Sequence, residues 1–78
     1  MQKIKRLRWQ CRRGMLEVDL ILMRYVEQRY TQAPEAEQAC FERLLQENDQ
    51  RLFDWLMGKS KPDLPFKAMV DILSGQTS

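Results

Sequence analysis

Apolar residues recur at helical spacing along nearly the whole chain. Ile4, Leu7 and Cys11 stand at i, i+3 and i+7, which predicts a short helix over roughly residues 2–11 with one thin apolar stripe. The stretch of about 15–30 carries Val18, Leu22, Tyr25 and Val26 on one face, and Leu16, Leu20 and Met23 on an adjoining one. A helix apolar over so much of its circumference is expected to be central, covered on several sides. Cys40, Phe41, Leu44 and Leu45 mark a third helix, and Leu52, Phe53, Leu56 and Met57 a fourth. Phe66, Met69, Val70 and Leu73 mark a fifth. No segment alternates apolar and polar residues long enough to suggest a strand.

Glycine and proline punctuate these stripes. Gly14 interrupts the first. Pro34 is expected at the first helical position of the third helix, where its missing N–H costs nothing. Glu35 and Glu37 follow in the first turn, at the positive end of the helix dipole. Asn48 or Asp49 is the expected N-cap of the fourth helix, and Gly58 its C-terminal glycine. Lys59 to Pro62 form a connector, Asp63 and Pro65 open the fifth helix, and residues 75–78 are expected to fray. The prediction is an all-α fold, a compact bundle of five short helices, with residues 1–78 forming a single helical domain. The connections are short, so successive helices are expected to pack as neighbours.

Composition narrows the function. Leu, Ile, Val and Phe supply 19 of 78 residues, above the roughly one-fifth level below which chains tend to be disordered. There is no histidine, which removes Ser-His-Asp and Cys-His catalysis and every histidine-containing metal site. Cys11 and Cys40 form no CxxC, and together with five methionines they read as free thiols in a reducing, cytoplasmic setting. The longest apolar run, Leu20 to Met23, is far short of the ~20 residues that span a bilayer.

Charge divides the chain sharply. Residues 1–13 hold Lys3, Lys5, Arg6, Arg8, Arg12 and Arg13 and no acid, a formal +6, while the rest carries −4. The boundary falls in Arg6-Leu7-Arg8-Trp9-Gln10-Cys11-Arg12-Arg13-Gly14-Met15-Leu16-Glu17-Val18-Asp19. Local structure accounts for some of it. Gly14 as N-cap would place Glu17 at N3, able to reach back to the cap and to pair with Arg13. Trp9 lies off the Ile4/Leu7/Cys11 stripe and is either a core aromatic or a contact residue. Packing explains the four arginines less well. Arginine with tryptophan is the composition of binding hot spots, and a glycine between arginines and acids admits a partner's backbone. Glu17 and Asp19 point in different directions on a helix, a poor arrangement for paired acid–base catalysis.

Arg13-Gly14-Met15-Leu16-Glu17 fits an RGxxE motif. Arg8-Trp9 and Cys11-Arg12 precede it, and Asp19-Leu20-Ile21-Leu22-Met23 follows. Further blocks come in order: Phe41 to Leu45, Leu52-Phe53-Asp54-Trp55-Leu56-Met57, and Lys61-Pro62. Over nearly its whole length the chain thereby resembles the succinate dehydrogenase flavinylation factors, SdhE in bacteria and succinate dehydrogenase assembly factor 2 in mitochondria. The resemblance implies a five-helix bundle, not itself an enzyme, that binds the flavoprotein subunit of succinate dehydrogenase and in many bacteria that of fumarate reductase. It implies a chaperone that promotes covalent attachment of FAD to that subunit, without holding FAD firmly itself. The motif falls on Arg13, Gly14 and Glu17, with Arg6, Trp9, Arg12 and Asp19 as neighbouring interface positions.

Two other classes fit parts of the sequence. The basic N-terminus with Trp9 suits a small nucleic-acid-binding module, but Glu17 and Asp19 beside the arginines would repel phosphates, so no nucleic acid is expected. An antitoxin-like regulatory interaction module is the other alternative. The expected state of the free protein is a monomer, with no metal site and no membrane insertion.

Overall fold

A computed structural model describes residues 2–75, with side chains from Lys3 onward. Among the described residues there are five α-helices: α1 (Gln2–Gln10), α2 (Leu16–Gln28), α3 (Glu35–Leu44), α4 (Asp49–Leu56) and α5 (Leu64–Gly75). A 3-10 turn, Tyr30–Gln32, lies between α2 and α3. The all-α expectation holds, and the apolar stripes mark the helices that form. Of the expected tail, Gly75 is the last residue of α5, and residues 76–78 lie outside the described residues.

Both ends of α4 have a local cause. The side chain of Asn48 accepts from the N–H groups of Gln50 and Arg51, making it the N-cap of α4. Gly58, at φ +77°, closes the same helix. Its N–H donates to the Trp55 carbonyl at 3.3 Å and that of Lys59 to the Asp54 carbonyl at 2.7 Å, the paired bonds of a Schellman motif. Pro34 sits one position earlier than expected. It is the extended N-cap of α3 rather than its first helical residue. The helical register of α2 ends at Gln28, and the chain tightens into the 3-10 turn instead of continuing to residue 30.

The core is one connected cluster drawn from all five helices, and Val18, Leu22, Tyr25, Phe41, Leu44, Leu52 and Leu73 are fully buried in it. Burying each such side chain contributes about 1.5–3 kcal/mol. Helix order in the chain does not dictate who packs on whom. The last helix, α5, packs against α2, α3 and α4. Its Phe66, Met69, Val70 and Leu73 are all buried, so it fills the space between its predecessors. As expected, α2 is central, touching α1, α4, α5 and the 3-10 turn. Its adjoining apolar face behaves differently: Leu16 is 73% exposed and Leu20 56%, with Met23 half-buried.

Polar groups at the α2–α3 corner are tied down. The rings of Tyr25 and Phe41 lie 4.4 Å apart, with Tyr30 edge-on to Tyr25. The Tyr25 hydroxyl donates to Glu37 at 2.6 Å, and the Arg29 guanidinium grips the same carboxylate at 2.8 and 3.1 Å. Arg29, then Tyr25, holds the Glu37 carboxyl below the usual carboxylate range. The Tyr30 hydroxyl donates to Glu42, which Lys3 also meets at 3.1 Å, and Glu42 is likewise held low, chiefly by Tyr30. Both cysteines are free thiols. Cys11 is fully buried, and burial pushes its thiol up to about 12.

Candidate functional site

The chain leaves α1 with Arg12 N–H bonded back to the Trp9 carbonyl at 3.1 Å, then turns through Gly14 into α2. Gly14 has φ +81°, a backbone state that costs an L side chain about 1–2 kcal/mol. A Cβ there would meet nothing within 4 Å. The turn therefore needs glycine for its conformation, and the space beside it is open surface.

The cap of α2 differs from expectation. Met15, in extended conformation, is the N-cap and makes no side-chain cap bond. The carboxylate that reaches back is Asp19, not Glu17: the Arg13 N–H donates to Asp19 Oδ1 at 2.8 Å. Nor does Arg13 pair with Glu17. Its guanidinium meets Asp49 Oδ1 at 3.1 Å and the main-chain carbonyl of Leu45. These partners lie more than thirty positions away, which is why sequence spacing pointed to the nearer acid.

The seven expected site residues separate by surroundings. Trp9, Arg12 and Arg13 share the wall of a depression of about 400 Å³ that reaches across to Leu45 and Asp49. Trp9 is 75% exposed, which removes the core-aromatic alternative. Glu17 is exposed and lines a second depression with Leu20, Arg24 and Met57. Asp19 faces inward to the turn. Arg6 lies one turn back on α1, lining a separate hollow with Lys3 and Glu42. Arg6, Arg12 and Glu17 form no salt bridge among the described residues.

The structure adds residues that the sequence assigned to packing. Trp9 and Met23 wall a common hollow, and Leu20 and Leu16 continue along α2 past Glu17. Trp9, Leu16 and Leu20 are three of the four exposed large apolar residues described, the fourth being Leu64. A signal for them existed: a helix with two apolar faces in so small a chain has more apolar surface than its neighbours can cover.

Half of the basic N-terminus is already matched by acid. Lys3 meets Glu42, Arg8 meets Glu27 at 4.0 Å, and Arg13 meets Asp49. Lys5, Arg6 and Arg12 form no salt bridge among the described residues, and Trp9, Arg12, Leu16, Glu17 and Leu20 stand exposed around the glycine turn. Among the described residues no group of three or more Cys, Asp and Glu side chains is placed to hold a metal ion, and no helix is long and apolar enough to cross a membrane.

Fold and surface together define a small helical bundle with a mixed polar and apolar exposed face. Residues 5–77 match the model of a family described as the flavinator of succinate dehydrogenase, and the chain belongs to that family. Curated relatives agree. The chain is 42% identical over 59 residues to the FAD assembly factor SdhE of Coxiella burnetii, covering 76% of this chain and 72% of that protein. It is 41% identical over 69 residues to the protein of the same name from Legionella pneumophila (strain Lens), covering 88% and 84%. With that of Photobacterium profundum it shares 46% over 67 residues, covering 85% and 76%.

Proposed function

We propose that this protein is an assembly factor that binds the flavoprotein subunit of succinate dehydrogenase and promotes covalent attachment of FAD to it. The observation that carries the reading is the glycine turn of a family member set among exposed Trp9, Arg12 and Glu17. The protein acts as a chaperone rather than a catalyst. FAD is the partner's group, and this chain favours the partner conformation in which flavin and acceptor side chain meet. It does so only to the extent that it binds that conformation better than the others.

Each site residue then has a role. Gly14 lets the partner's backbone approach. Arg12 and Arg6 offer guanidinium groups to carboxylates or carbonyls, and Glu17 accepts from donors. Trp9, with Leu16 and Leu20, supplies apolar contact area. Arg13 and Asp19 shape the turn that holds them. The patch is small and mixes polar with apolar groups, which suits moderate affinity and release after the reaction. The protein works as a cytoplasmic monomer, and the flavoprotein of fumarate reductase is a second client. Pairing of Lys3, Arg8 and Arg13 with acids supports a protein partner over a nucleic acid.

The test is to express the flavoprotein subunit with and without this chain and read covalent flavin by in-gel fluorescence. The flavin signal should depend on the chain, and the two proteins should co-purify. Equal signal in its absence would overturn the reading.

A further inference from the structure

Arg13 is the motif residue least available to a partner. Its side chain is only 15% exposed. Through its guanidinium it joins the turn after α1 to two points of the α3–α4 corner, the Leu45 carbonyl at the end of α3 and Asp49 at the start of α4. Through its N–H it is bonded to Asp19 on α2. The start of α2 and the distant α3–α4 corner are thus fastened at one residue, directly beside the glycine that is the most freely rotating point of the turn.

That placement has a consequence for binding. Arg12 and Glu17 stand on either side of Gly14, so their separation depends on the conformation of the turn. A loose turn would have to be ordered on each encounter, and ordering lowers affinity.

We propose that Arg13 is a positioning residue, and that Asp49 is the anchor through which it holds the Gly14 turn in its binding shape before the flavoprotein arrives. The proposal rests on the function given above and deepens it by assigning Asp49, outside the RGxxE motif, to the same site. Asp49 is 53% exposed at its side chain, so its substitution leaves the core intact.

The full chain and the flavoprotein subunit decide the matter. Asp49→Asn keeps the shape and removes the charge. It should weaken binding about threefold to tenfold, the lower part of the range for a coupled pair. The flavinylation rate at saturating factor should stay unchanged, because the formed complex is the same. Asp49→Glu should restore binding. In an Arg13→Gln background, Asp49→Asn should cost nothing further. Amide exchange at Arg13 and Gly14 should quicken in Asp49→Asn. Independent, multiplying effects of the two substitutions would overturn the clamp, as would unchanged exchange. Wild-type binding by Asp49→Asn, with Glu17→Ala defective, would overturn the clamp and leave the site standing. Wild-type behaviour of Glu17→Ala would overturn the site and the clamp with it.

Discussion

The α2–α3 corner and the Gly14 turn are built from the same kinds of side chain, aromatics with arginines and glutamates, but they are organised in opposite ways. At the corner, Tyr25, Tyr30, Arg29, Glu37 and Glu42 are all bonded to one another or to Lys3. At the turn, Trp9 and Glu17 stand exposed, and Arg12 and Glu17 have no salt-bridge partner among the described residues. Composition alone does not separate structural residues from functional ones in this protein. The difference on which the proposed function rests is whether the fold itself satisfies them, as it does at the corner and does not for Arg12 and Glu17.

Breaking the corner should cost most in stability. Phe41→Ala removes a fully buried ring stacked near Tyr25 and should destabilise the fold by about 3–5 kcal/mol in denaturant unfolding. Flavinylation should then fall only as far as the folded fraction does. Gly14→Val reverses that relation. It should cost about 1–2 kcal/mol, from the positive φ, while covalent flavin on the partner drops well beyond the loss of folded protein. Leu20→Ser sharpens the contrast further. Stability should move by no more than about 0.5 kcal/mol, as for surface positions. Affinity for the flavoprotein should fall about fivefold or more, as for a contact residue that matters.

The smallest expected effect is that of pH on the corner. Glu37 and Glu42 bind protons less readily when folded than when unfolded. The unfolded chain therefore gains protons first as the pH drops, and the stability these groups add is present above the ordinary value of 4.5 and lost below it. Thermal unfolding followed by circular dichroism should show the midpoint falling below that pH, with a shallower fall in Glu37→Gln.

Much of this organisation was legible in the sequence because it is local. Apolar spacing marked five helices, Asn48 and Gly58 marked the ends of α4, and the charge boundary drew attention to Gly14. What sequence could not supply was long-range. Periodicity shows that α2 has two apolar faces but not which one its neighbours cover, so Leu16 and Leu20 were expected inside. Spacing allows Arg13 to pair with the acid four positions on, whereas its partner is Asp49, brought near by the α3–α4 corner. The role of α5 as a filler between three helices likewise depends on the assembled bundle.

The central claim is that the exposed face at the Gly14 turn is what the flavoprotein meets, and Glu17→Ala tests it most directly. Glu17 is exposed and outside the core, so the variant should unfold like the parent protein. Co-expressed with the flavoprotein subunit, it should leave the in-gel flavin fluorescence near the level seen without any assembly factor. Fluorescence equal to that with the unaltered chain would contradict the account.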